Sequence, residues 1–206
     1  MNAIKLNFIN QSQDVNNSEV VIFQKNEAAG FGEIPVAWKI IQHAGKGWTH
    51  PFTFPAAVTI AVADSWGNIS PQMPAANGQA FSVVNDPSGD AIEPSGAATS
   101  PNQIEILNRL PTGSINAHIY RDGALLATKP GIAPGQKAEF QFQPTIWIGV
   151  VSQLQEGELI NAAIMSQINS QISLIGIAGA DIVMTGGGPG KGATPFIFVL
   201  QNVKYA

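Results

Sequence analysis

Phe140-Gln141-Phe142-Gln143-Pro144-Thr145-Ile146-Trp147-Ile148-Gly149-Val150 decides the fold class. Phe140 and Phe142 flank a glutamine, and after Pro144 the residues Ile146, Ile148 and Val150 recur every second position. A period of two places successive side chains on opposite faces of a strand. Trp147 is out of phase with its isoleucine neighbours and is expected on the other sheet face. The same alternation runs through Ile4, Leu6 and Phe8, then Phe52 and Phe54, then Val58, Ile60 and Val62. It continues at Phe81 and Val83, Ile104 and Ile106, Ile115 to Ile119, Ile172 and Leu174, Ile182 and Met184, and Phe196, Phe198 and Leu200. With strands of about 5–6 residues, that makes about a dozen strands.

Turn chemistry separates these runs: Asn77-Gly78, Asp86-Pro87-Ser88-Gly89, Pro111-Thr112-Gly113, Asp122-Gly123, Pro134-Gly135 and the glycines from Gly186 to Gly190. The reading is all-β, a jelly-roll-like β-sandwich with at most one short helix near 157–168. There Ile160, Ile164, Ile168 and Ile172 stand four apart behind Glu156 and Glu158, which suits a helix start. A strand carrying Ile164, Ser166 and Ile168 is the competing reading, because Asn161, Asn169 and the β-branched residues weaken a helix.

The chain also resembles itself. Phe8-Ile9-Asn10 matches Ile106-Leu107-Asn108, Val21-Ile22-Phe23 matches His118-Ile119-Tyr120, and Phe52-Thr53-Phe54 with Ile60 matches Phe140-Gln141-Phe142 with Ile148, at offsets of 98, 97 and 88. Gly45-Lys46-Gly47 and Pro134-Gly135-Gln136 occupy equivalent turns. A repeat whose halves cannot bury their apolar faces alone packs as a unit. One domain over 1–206 is expected, with halves of about 1–85 and 104–206 joined by a long connection over 86–103. That connection is rich in Pro, Ser, Gly and Ala and lacks apolar alternation.

Composition bounds the function. Lys and Arg total 10 and Asp and Glu 14, a net charge of −4 and 12% charged residues, about half the usual quarter. Asn, Gln, Ser and Thr take their place. Scattered cations on an acidic chain argue against nucleic-acid binding. Without cysteine there is no disulfide framework, Cys-ligated metal or thiol nucleophile. The alternating N-terminus lacks the apolar run of a signal peptide, and no run of 18 apolar residues suggests a membrane helix, so a cytoplasmic location is the default expectation, with non-classical export left open.

Enzyme signatures are missing. The glycines before Lys191 fail the phosphate-loop spacing, since Thr185 stands where the first glycine belongs and Gly192 replaces the magnesium-ligating Ser or Thr. There is no GxSxG elbow. His43, His50 and His118 form no metal-ligand pair, and His118 aligns with Val21 inside a strand. No cofactor or metal is expected, and no catalytic residue.

Two site expectations remain. Trp48 with His50, and Asp64, Trp66 and Asn68 in a turn, combine exposed indoles with polar groups, as sugar sites do. The apolar strand carrying Phe196, Phe198 and Leu200 offers a pairing edge. A weakly charged surface favours contact with copies of itself. A structural, self-associating, non-enzymatic protein is therefore expected, with the chain itself as partner. A carbohydrate-binding module is the alternative, and a membrane-associating β protein the second alternative, disfavoured by Asp181 within Ile172 to Met184.

Overall fold

The computed structural model describes residues 3–28, 34–168 and 170–206. It is nearly all β. In chain order the strands are β1 (Ile4–Asn10), β2 (Glu19–Phe23), β3 (Ile34–Pro35), β4 (Lys39–Ile41), β5 (Thr49–Phe54), β6 (Val58–Ala63), β7 (Met73–Ala75), β8 (Gln79–Asp86) and β9 (Gly89–Ala97). There follow β10 (Ile104–Asn108), β11 (Ile115–Arg121), β12 (Ala124–Ile132), β13 (Lys137–Phe140), β14 (Thr145–Val151), β15 (Ser170–Ser173), β16 (Ile177–Gly187) and β17 (Thr194–Tyr205). One α-helix, α1 (Ala162–Gln167), lies between β14 and β15, with the Asn161 side chain capping its first turn through the Ile164 N–H. That settles the segment left open between helix and strand.

Where the sequence points to one duplicated sandwich, contacts group the residues into two compact units. The first holds the chain up to Gln24, Ala37–Ala56 and Pro144–Ala206. Its sheets run β17-β16-β1-β5 and β15-β14-β2-β4. Alternation buries Leu6 and Phe8 on β1, Ile22 on β2, Ile148 on β14 and Ile182 on β16. Trp38 is 1% exposed and meets Phe54 edge-to-face, with ring centroids 5.7 Å apart. The second unit holds Lys25–Val36 and Ala57–Gln143, with sheets β13-β10-β8-β9 and β3-β12-β11-β6-β7. Its core includes Ile60, Phe81, Ile106, Ile119 and Phe140.

The two units share one plan. In the first, β1 runs parallel to β16 and antiparallel to β5; in the second, β10 runs parallel to β8 and antiparallel to β13. The registers correspond. Leu6 opposes Phe52 as Ile104 opposes Phe140, and Ile22 opposes Ile148 as Ile119 opposes Ile60. Ile146 faces Ile172 as Val58 faces Ala75. Even the turns agree: Asn10 Nδ2 donates to the Ala44 carbonyl, and Asn108 Nδ2 to that of Ile132. Gly47 N–H donates to Asn10 O, and Gly135 N–H to Asn108 O. Both glycines sit near φ +80°, where a side chain is strained.

The correspondence exposes an exchange. The eight strands β1, β2 and β4 to β9 form one copy of the plan in sequence, and β10 to β17 the other. Each unit takes the first half of one copy and the second half of the other. The chain up to Gln24 and Ala37–Ala56 thus complete their sandwich with Pro144–Ala206, and 57–97 theirs with 104–143, to which β3 adds an edge strand beside β12.

The units differ where insertions fall. Ile22 and Lys39 pair across β2 and β4, but Ile119 and Ala127 across β11 and β12, so the earlier connection is nine residues longer. The β14–β15 connection exceeds that of β6–β7 by the same length. In the first unit these two longer segments meet: Ala37 N–H donates to Glu158 O, and Gly157 N–H to Ala37 O. Ala37, Leu154, Ile160 and Ile168 then cover Val21 and Phe23 on the outer sheet face. Trp147 stacks on Phe23 there, at 6.5 Å, out of phase with buried Ile146 and Ile148 as its position requires. Ile168 presses so close that a Cβ on Gly149 would come within 2.8 Å of it; the equivalent residue in the second unit is Ala61.

The long connection expected over 86–103 is largely a strand. β9 pairs antiparallel with β8, Val83 opposite Ile92 and Asp86 opposite Gly89. Its alternation is faint because it is an exposed edge strand, bearing Pro94 and Gly96 and held chiefly by its backbone. Only Ala98 to Gln103 link the copies.

Candidate functional site

Asp64, Trp66 and Asn68 are brought together in one turn after β6. The Asp64 carboxylate accepts from the N–H groups of Trp66 (2.8 Å) and Asn68 (2.9 Å) and from Asn68 Nδ2 (2.7 Å). These bonds, the Asn68 side chain foremost, hold the carboxyl below its usual pKa. The turn leaves Trp66 88% exposed, the most exposed large apolar side chain among the described residues.

Beside it a groove of about 470 Å³ opens in the second unit, with Val62, Ile69, Met73, Val83, Ile92 and Ile115 on its apolar walls and Asp64, Asn68, Gln72 and Asp90 among its polar ones. Register explains the space. Val83 and Ile92 oppose each other on β8 and β9 as Met184 and Phe198 do on β16 and β17. The first unit carries the larger side chains at this place, and its β17 approaches both β14 and β15. The turn is legible in the sequence; the groove is not, because its shape depends on substitutions between strands far apart in the chain.

Trp48 and His50 fall in the first unit. Trp48 is exposed, with its N–H on Gly45 O and its carbonyl accepting from Asn10 N–H. His50 opposes Phe8 in β5. Burial chiefly, and then Lys39, lower its pKa, with Glu156 acting the other way. The Lys39 ammonium sits 5.5 Å from the Trp38 ring and 6.0 Å from that of Phe52, a cation–π arrangement. His118 is half-buried in β11 opposite Ala61 and Thr128, its pKa lowered by burial. Its Nδ1 has no hydrogen-bond partner among the described residues. Among those residues, no group of three or more His, Asp and Glu side chains could hold a metal ion. No helix among them is long and apolar enough to cross a membrane.

β17 is the last strand of its sheet and pairs on one side, with β16. Phe198 is buried and Phe196 and Leu200 half-buried, so these three turn inward. A Cβ on Gly187 would lie 2.8 Å from the Phe196 ring. The alternate residues Ile197 (54% exposed) and Val199 (40%) face out. On the sheet's outer side Asp181 accepts from Asn7 Nδ2 at 3.2 Å and from Asn202 Nδ2 at 2.6 Å, a ladder across β1, β16 and β17.

Comparison with known protein families, curated proteins and solved structures finds no match.

Proposed function

We propose that this is a non-enzymatic structural protein that assembles with copies of itself through the edge of β17. The twelve-residue length of that edge carries the reading. Among the described residues one row of its backbone donors and acceptors has no strand beside it, and such a row is a template for pairing with another chain. Edges that stay solitary are usually blunted by charge, proline or a bulge, or kept short. β17 has Pro195 and irregular pairing toward both ends, but its middle, Ile197 to Gln201, pairs without a register shift, carries no charge or proline, and shows Ile197 and Val199. The low overall charge leaves little repulsion between copies.

Light scattering over a concentration series with negative-stain microscopy tests this. A defined oligomer, shell or filament is expected. Ile197→Lys with Val199→Lys, both on the exposed side, weakens association at least tenfold, about 1.4 kcal/mol, without unfolding the chain. A strict monomer at high concentration overturns the proposal.

A second reading is favoured by one observation, the exposed Trp66 beside the groove. An indole face with Asp64, Asn68, Gln72 and Asp90 nearby suits a neutral glycan, with stacking on its apolar side and hydrogen bonds to its hydroxyls. On a glycan array, Trp66→Ala should abolish the retained signal. An array on which the native chain retains nothing ends this reading.

A further inference from the structure

We infer that the chain can exchange its block 144–206 with a second copy of itself, so that β14 to β17 of one chain complete the first unit of another. This rests on the self-association proposed above and gives it a second route.

The way each unit is composed carries the inference. β6 to β9 directly follow β5 in sequence, yet they build the second unit, while β5 belongs to the first. Each half-copy already finds its complement in a distant block. The pairings that join them, Leu6 beside Ala180 and Ile22 opposite Ile148, do not require donor and acceptor to share a chain. A second copy presents the same strands in the same register. Exchange therefore preserves every pairing inside the unit, and the balance is set by the hinge and by the entropy of association.

The hinge of this exchange is the connection between β13 and β14, where Phe140 reaches Thr145 through Gln141-Phe142-Gln143-Pro144. Pro144 fixes its own φ and holds the preceding residue extended, and short hinge loops promote swapping.

The absence of cysteine makes the test direct. Glu19 and Val151 are partners across β2 and β14, so Glu19→Cys with Val151→Cys reports whether the two blocks come from one chain. Asn7→Cys with Asp181→Cys is a second pair, on β1 and β16, in case the first disturbs folding. The full-length variants are unfolded, refolded over a range of concentrations, oxidised, and separated by size and by non-reducing electrophoresis. Interchain disulfides in the dimer fraction, rising with the concentration at refolding, are expected. Oligomers holding only intrachain disulfides overturn the exchange and leave self-association standing. A chain monomeric at every concentration overturns both.

Discussion

A chain cut between Pro101 and Asn102 is expected to remain one particle. Both residues are exposed in the turn joining β9 to β10, so a protease site inserted there is accessible and leaves the strands on either side intact. The fragments 1–101 and 102–206 are then no longer covalently joined. Neither contains a complete unit. The first supplies β1, β2, β4 and β5 to one sandwich and β3 and β6 to β9 to the other, and the second supplies the complements.

Separation would break the β1–β16 and β2–β14 pairings in one unit and the β8–β10 and β6–β11 pairings in the other. Phe8, Ile22, Ile60, Phe81, Ile106 and Ile182, each 2% exposed or less, would face water. Burying such side chains is worth about 1.5–3 kcal/mol apiece. The nicked protein should thus co-elute at the full mass and survive dilution to about 1 nM, an affinity near 12 kcal/mol. The fragments should part only in denaturant. Two folded fragments eluting separately under native conditions would contradict the exchanged composition. The result holds whether the complement comes from the same chain or from a second copy, because in either case neither fragment contains a complete unit.

Much of this architecture is visible in the sequence, for a physical reason. Strands with one buried face print a period of two, so Leu6 and Phe8, or Ile146 and Ile148, declare themselves without a structure. Trp147 likewise shows its opposite face by being out of phase. Asp64 and Asn68 declare a turn because a short polar side chain satisfies nearby backbone donors. β9 does not declare itself: its side chains are mostly exposed, backbone pairing leaves little mark on sequence, and Pro94 and Gly96 look like loop residues.

Pairing between half-copies is hidden for a different reason. Equivalent registers make β1 compatible with either β8 or β16 on pattern alone, and nothing local distinguishes them. On β17 the more apolar set, Phe196, Phe198 and Leu200, dominates the pattern and turns inward, so the outward face falls to Ile197 and Val199.

Asn108→Ala is expected to destabilise the protein by about 3–4 kcal/mol, because one buried amide satisfies three backbone groups. Asn108 is 0% exposed. Its Nδ2 donates to the carbonyls of Gly113 (3.0 Å) and Ile132 (2.9 Å), and its Oδ1 accepts from Leu110 N–H (3.0 Å). Alanine leaves that donor and those acceptors without their partner, at about 1–3 kcal/mol for each that water cannot reach. Asn10 is the matched control. It holds the same place in the first unit but donates to one carbonyl, Ala44 O, and accepts from Ser12 N–H and Oγ. Asn10→Ala should therefore cost less. Asn108→Asp separates hydrogen bonding from shape: an ionised carboxylate would face two carbonyl oxygens, so its folded-state pKa rises above the unfolded value of about 3.9. Stability is then greatest below that value and falls as pH rises through the folded-state pKa. Denaturant melts of the three variants at pH 4 and 7 decide the matter. A loss under about 1 kcal/mol for Asn108→Ala, or an Asn108→Asp protein no weaker at pH 7 than at pH 4 after correction for the native chain, would remove the amide from its place as the pin of that turn.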